Sequence, residues 1–306
     1  MSLIPSNQPE LFIHGDELNN FVSLYKKNKL PNKILLKGRK GIGKCTLAYH
    51  LINFILSEKE DFAYNIDSFK IDDRNKSYKL ILNGSSPNFF LIDIESDKKD
   101  IDISQIRSLI KNLNTSSLNS KPRFIILDNS EYLNKNSINA LLKEIEEPKN
   151  NVYFILIQNQ MRLLPTLTSR FVKFDISLTN NDSFFVINKL LKDDVSKYIN
   201  RNLISYYFSP GNIYKLINFS IENDIDLKDL ELEELIVLLI EKNFFKKETN
   251  LKYIFQELIE FLLKEKTTNL DRDYYNYFTK KFNEVNKFNL DADPLLIELN
   301  DKVLNG

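Results

Sequence analysis

Lys33-Ile34-Leu35-Leu36-Lys37 runs directly into Gly38-Arg39-Lys40-Gly41-Ile42-Gly43-Lys44-Cys45-Thr46. A short unbroken apolar run reads as a strand covered on both faces. A Gly-rich turn between such a strand and a helix start is where a phosphate-binding loop belongs. The glycines let backbone N–H groups turn inward, the helix N-terminus adds partial positive charge, and Lys44 can reach the β- and γ-phosphates. The strict pattern places Ser or Thr after the lysine, because that hydroxyl ligates magnesium. Here the residue is Cys45, and a neutral thiol is a poor ligand for so hard a cation. Thr46 comes one position late, about 100° further round the helix, and is expected to point elsewhere. The alternative is a Gly-rich turn that holds no ligand. The residues fit a loop of nucleotide-binding origin, and the sequence leaves open whether ATP or ADP still enters it.

Outward from this loop, apolar runs alternate with helix-period segments up to about residue 175. Candidate strands are Asn88 to Asp93, Arg123 to Asp128, Val152 to Ile157 and Phe171 to Asp175. Asp102 with Gln105 reads as a capping box ahead of the stripe Ile103, Ile106, Ile110 and Leu113. A second stripe, Ile138, Leu141, Leu142 and Ile145, is stopped by Pro148. Strand, helix and strand in succession predict an α/β fold with a parallel, doubly wound sheet. Beyond about residue 176 the strand signal disappears and helical periodicity takes over, broken at Ser209-Pro210-Gly211 and at Glu222 to Asp229. We therefore expect a nucleotide-binding-type core at 1–175, a small helical unit at 176–221 and a larger all-α domain at 222–306. Residues 57–84, charged and weakly periodic, read as an insertion or loose connector.

Composition excludes several classes. At roughly 150 residues per domain, 306 residues suggest two or three domains. Hydrophobic residues at 42% and charged ones at 27% describe a globular chain and not a disordered one. The 42 basic and 42 acidic residues balance, which argues against a surface that attracts nucleic acid or membrane as a whole. No apolar run approaches the ~20 residues of a membrane span, and the start MSLIPSNQPE lacks a signal-peptide pattern. The expectation is a cytoplasmic protein with no membrane partner. The single cysteine, Cys45, excludes an internal disulfide or a thiolate zinc cluster, and His14 and His50 leave little for an imidazole metal site.

A nucleotide site needs a second half, an acidic residue closing a buried strand. Phe124-Ile125-Ile126-Leu127-Asp128 supplies one, and Asp128 would sit beside the phosphate loop to hold magnesium through water; the alternative is a carboxylate that caps the following turn. In hydrolysing enzymes of this layout the next residue is a glutamate that activates water. Here it is Asn129, which cannot accept that proton, and Glu131 is the nearest substitute. Leu163-Leu164-Pro165-Thr166-Leu167-Thr168-Ser169-Arg170-Phe171 is a third element, although an arginine before a strand is ordinarily a surface ion pair.

The chain resembles the delta-prime subunits of bacterial DNA polymerase III clamp loaders, in the AAA+ superfamily. Four stretches carry the likeness: Leu30-Pro31-Asn32-Lys33-Ile34-Leu35 with the loop that follows; Ser86-Pro87-Asn88-Phe89-Phe90; Asp128 through Asn139-Ala140-Leu141-Leu142-Lys143-Glu144-Ile145-Glu146-Glu147-Pro148; and Leu163-Leu164-Pro165 to Ser169-Arg170. It is strong over residues 10–175, weak over the following unit and only architectural beyond about 222. The resemblance implies an AAA+ P-loop core, a helical lid and an all-α collar domain. It also implies that Ser169-Arg170 matches the family's Ser-Arg-Cys motif, whose arginine acts in trans on ATP held by a neighbouring motor subunit. Phe171 stands where the cysteine is usual. Such fingers contribute about 10³–10⁵ in rate.

Two departures follow from the same resemblance. Many relatives carry a four-cysteine zinc module after the first helix of the core; with no cysteine there, no zinc is expected. AAA+ motors also bring an arginine from the lid to the γ-phosphate, whereas residues 208–217 here offer only Lys215. The degenerate site would comprise Gly38, Gly41, Gly43, Lys44, Thr46 and Asp128, with Cys45 and Asn129 in place of the expected residues. Nucleotide binding is not required, and no bound metal is expected. The implied role is a stator in a hetero-pentameric ring with delta and gamma/tau subunits. It supports ATP-dependent loading of the sliding clamp onto primed DNA within the DNA polymerase III holoenzyme, a nucleotidyltransferase complex, and is inert on its own. The rivals are an active motor-like ATPase of the same loader and a solitary P-loop binding protein. In the all-α region, the group Tyr274, Tyr275, Tyr277 and Phe278 reads as core or collar packing before base stacking, and Lys26-Lys27 and Lys246-Lys247 as solvated faces.

Overall fold

The apolar runs become five parallel strands, β1 (Lys33–Lys37), β2 (Phe89–Ile92), β3 (Arg123–Leu127), β4 (Val152–Gln158) and β5 (Val172–Asp175), in one sheet of order β2-β3-β4-β1-β5. The computed structural model describes residues 3–95, 98, 100–115, 119–147, 149–159, 163, 165–204, 208–248, 251–266, 272–288 and 290–304; Pro148 and Leu164 lie outside them. The strands stop a residue short of the expected Asp93 and Asp128. Each of these carboxylates accepts the N–H of the next residue, Ile94 or Asn129, and turns the chain out of the ladder.

Side chains alternate across the sheet as its pleat requires. On one face lie Ile34, Leu36, Phe124, Ile126, Ile155 and Ile157, packed with residues of α1 (Gly15–Lys26) and α2 (Lys44–Ser57). On the other lie Leu35, Ile125, Leu127, Phe154 and Leu156, packed with residues of α4 (Ile103–Asn114) and α5 (Lys135–Glu146). The capping box at α4 forms as expected: Asp102 accepts the Ser104 N–H at 2.7 Å, and Gln105 accepts the Asp102 N–H at 3.1 Å. α2 is buried on all sides from Leu47 to Ser57, the pattern of a central helix and not of a surface one.

Residues 57–84 are not a loose connector. They hold α3 (Lys76–Leu82), and Tyr64, Ile71, Tyr78 and Ile81 join the same apolar core as α2. Their low periodicity reflects polar anchors rather than a missing core. Asn75 caps α3 by accepting the Tyr78 N–H at 2.7 Å, receives the Asn53 amide at 3.1 Å and donates to the Phe62 carbonyl at 2.7 Å. Glu60 accepts from the Ser77 hydroxyl at 2.6 Å and from Lys121 at 2.9 Å. His50, fully buried in α2, donates through Nε2 to the Gln8 carbonyl at 3.0 Å and accepts the Tyr64 hydroxyl on Nδ1 at 2.8 Å.

The chain divides into two compact units, residues 2–182 and 183–306. The short α6 (Pro165–Thr168) precedes β5, and α7 (Asn180–Leu191) straddles the division. The second unit is helical: α8 (Arg201–Ile204), α9 (Pro210–Glu222), α10 (Leu232–Glu241), α11 (Phe244–Lys247), α12 (Lys252–Lys266), α13 (Arg272–Phe288) and α14 (Asp293–Leu299). One apolar cluster runs through it from Ile187 to Val303. Ser209 caps α9, and Asn212 bonds to Glu257 at 2.9 Å and to the Tyr253 hydroxyl at 3.0 Å, tying α9 to α12. The aromatic group of α13 splits: Phe278 is fully buried and Tyr275 packs on the cluster, whereas Tyr274 and Tyr277 are exposed. Among the described residues no helix is long and apolar enough to cross a membrane.

Candidate functional site

The phosphate-type loop leaves the C-terminal end of β1, which lies between β4 and β5 in the sheet. Two glycines are fixed by space and backbone. A Cβ on Gly38 would stand 2.3 Å from the Ile176 carbonyl oxygen and 2.8 Å from Ile42 Cδ1, so only glycine fits where the strand enters the loop. Gly43 has φ +91° and is the residue from which α2 starts; this left-handed conformation is one that glycine adopts without steric cost. His14 braces the turn from the other side, donating Nε2–H to the Ile42 carbonyl at 2.7 Å. Gly41 is also left-handed, at φ 83°.

Lys44 is folded back over its own loop. Its ammonium donates to the carbonyls of Gly38, at 2.9 Å, and Arg39, and to Asn159 Oδ1, at 3.0 Å. The side chain is buried. Burial pulls its pKa down to about 8, against the opposing pull of Asp128 and Glu131. Its three N–H bonds therefore serve the protein itself.

Cys45 occupies the position of the magnesium-binding hydroxyl, near enough to the Asp128 carboxylate that each raises or lowers the other's proton affinity. Burial raises the thiol's pKa well above its ordinary value, reinforced by Asp128 and Asp93. Asp128 is itself raised, by burial and then by the neighbouring Asp93. Burial thus disfavours the charged form of both residues that would hold magnesium, and the soft sulfur does not suit that cation; these residues do not fit a magnesium site. Thr46 lies one residue further along α2, half-buried.

The position of the catalytic base is likewise committed to structure. Asn129 sits in the left-handed region at φ 47°, which asparagine tolerates better than most residues. It donates to Asp93 at 2.8 Å and accepts from Asn159 at 3.1 Å. Glu131, the candidate substitute, accepts the Asn159 side-chain amide at 2.8 Å and its backbone N–H at 3.3 Å. Asn159 is therefore the hub of the site, joining Lys44, Asn129 and Glu131, and sequence reasoning missed it. The available signal was the amide pair Gln158-Asn159 closing the apolar run of β4, since a buried amide needs partners to offset its desolvation.

Arg170 lies at the other end of the sheet. β5 runs parallel to β1 with Val172 opposite Ile34, so Arg170, two residues earlier, is level with the start of β1, while the loop leaves its end. About six residues of strand at ~3.3 Å each separate the two, on the order of 20 Å. Arg170 cannot serve its own chain's loop. Its guanidinium donates through Nη1 to the Thr166 carbonyl and through Nη2 to Glu146 at 2.5 Å. Ser169 bonds to the Thr166 carbonyl at 3.3 Å. Lys215, the only basic residue of 208–217, donates to the Tyr253 hydroxyl at 3.4 Å within the second unit.

A family model described as "DNA polymerase III, delta subunit" matches residues 13–180, which include both the loop and Arg170. The chain is 33% identical to DNA polymerase III subunit delta' of Pseudomonas aeruginosa over 140 residues, 45% of this chain and 41% of that one. It is 25% identical to subunit delta' of Buchnera aphidicola from Acyrthosiphon pisum, across 94% of this chain and 96% of that one. DNA polymerase III subunit gamma of Buchnera aphidicola from Schizaphis graminum is 28% identical over 54% of this chain and 43% of its own. Among solved structures, a DNA polymerase III gamma subunit-related protein of Thermotoga maritima aligns with 94% of this chain and 92% of its own, at 16% identity and a TM-score of 0.40.

Proposed function

The chain belongs to the DNA polymerase III delta-subunit family, and on that premise we propose that it is the non-hydrolysing stator of a clamp loader. The observation that carries this reading is that Asn129 is bound to Asp93 and Glu131 to Asn159, with Cys45 standing where the magnesium-binding hydroxyl belongs. The magnesium ligand is replaced by a thiol, and the water-activating base by an amide bonded to Asp93 and Asn159. A loop so arranged supports a fixed shape and not turnover, and ATP or ADP is not required to hold it. The same residues count against the motor-like reading.

The contribution to catalysis then comes from the far edge of the core. Arg170 cannot reach its own loop, and it sits on the short α6–β5 turn at the surface, as a residue presented to a neighbour would. In a ring with delta and gamma/tau subunits, its guanidinium would meet the ATP of the adjacent motor subunit and stabilise charge developing on the transferring phosphoryl group. The division into a lid at 176–221 and a collar at 222–306 belongs to the same reading, as does a cytoplasmic location. The sliding clamp and primed DNA are reached through the assembled complex.

The test is reconstitution. Mixed with purified delta and gamma/tau, the chain is expected to co-elute in one ring-sized species, and alone to release no phosphate from ATP and magnesium. A monomer that ignores those subunits would overturn the assignment in favour of a solitary binding protein, and turnover by the isolated chain would favour a motor.

A further inference from the structure

We propose that Glu146, at the C-terminal end of α5, is the positioning residue for Arg170; this rests on the trans-acting role given to Arg170 above. The guanidinium is planar and carries five N–H donors in a fixed fork. Two of them are committed here, one on Nη1 to the Thr166 carbonyl and one on Nη2 to Glu146 Oε1. Two anchors on different nitrogens fix the plane of the fork as well as its place. Three N–H bonds, including Nε–H, are left for an anion brought by a neighbour.

The partners also differ in rigidity. Thr166 offers a backbone carbonyl within α6, so that anchor moves only with the turn itself. Glu146 closes α5, which packs through Ile138, Leu141 and Ile145 against the sheet. Its carboxylate therefore links a surface arginine on a short turn to a helix packed on the sheet, 24 residues earlier in the chain. The side chains are 34% and 52% exposed, so the pair adds little to stability. What it supplies is orientation, and a group aimed in advance stabilises a transition state without reorganising at the moment of reaction.

A carboxylate next to the finger also repels the phosphate it must meet, which separates the two effects of substitution. Glu146→Ala removes both the acceptor and the charge, whereas Glu146→Gln keeps an acceptor oxygen and removes only the charge. In the reconstituted loader with clamp and primed DNA, Glu146→Ala is expected to lower kcat about fivefold, the scale set by one exposed ion pair, with KM for ATP unchanged. Glu146→Gln is expected to recover most of that kcat. In an Arg170→Ala background, Glu146→Ala is expected to cost nothing further, because a positioning residue has nothing left to position.

If Arg170→Ala lowers the rate and Glu146→Ala does not, the positioning role falls while the trans role of Arg170 survives. The positioning role falls equally if Glu146→Ala is as costly without Arg170 as with it, or if Gln fails to rescue. If Arg170→Ala itself leaves the rate unchanged, the reading beneath both proposals fails.

Discussion

Replacing His50 by leucine tests whether the 57–84 segment is welded to the helix that carries the phosphate-type loop. The imidazole is fully buried, with one nitrogen donating to Gln8 and the other accepting from Tyr64. It thus joins the N-terminal segment, α2 and the segment that precedes α3. Both bonds require the neutral ring, and burial holds its pKa down at about 4, against about 6.5 in an unfolded chain. The folded value lies below the unfolded one, so the stabilisation is complete above about pH 6.5 and is lost as pH falls toward 4. At pH 5 the unfolded chain holds this proton and the folded chain largely does not, a cost of about 2 kcal/mol relative to pH 7.5. His50→Leu removes two hydrogen bonds, about 2 kcal/mol at pH 7.5, and removes the titration as well. Urea unfolding of native and variant chains, followed by circular dichroism at both pH values, should show a gap at pH 7.5 that nearly closes at pH 5. A gap of the same size at both would refute the account, since it would mean that His50 charges as readily in the folded chain as outside it.

Two further predictions concern the loop. Gly38→Ala places a methyl group 2.3 Å from the Ile176 carbonyl oxygen; forcing the strand end to move should cost about 2 kcal/mol and lower the Tm by roughly 5 °C by differential scanning calorimetry. An unchanged Tm would mean that the loop is laid out differently. The Cys45 thiol, raised by burial and by Asp128, should react with iodoacetamide at pH 8 at least about tenfold more slowly in the folded chain than in urea. Equal rates would show that the folded chain does not bury the thiol.

Much of the fold is written in local patterns. The runs Ile34-Leu35-Leu36 and Phe124-Ile125-Ile126-Leu127 are apolar throughout because helices cover both faces, and Asp102 with Gln105 marks the start of α4 through a contact that spans only three residues. The loop is legible for the same reason, since Gly38, Gly43 and Lys44 act within a few positions of one another. What escapes such patterns depends on distance. Asn159 matters because β4 brings it beside Lys44, 115 residues earlier, and no local pattern reports that. Glu146 and Arg170 meet through sheet topology, and the charged 57–84 stretch looks loose in sequence because its anchors, His50, Asn53 and Lys121, come from elsewhere in the chain. Asn129 reads in sequence as a missing base; its left-handed backbone and its bonds to Asp93 and Asn159 give it a structural task instead.

The central claim is that this chain contributes Arg170 to a neighbour and hydrolyses nothing itself. ATP hydrolysis by the reconstituted loader, with clamp and primed DNA, should fall at least about tenfold with Arg170→Ala, while the isolated native chain remains inert. An unaffected complex together with turnover by the isolated chain would contradict the claim and make this subunit a motor.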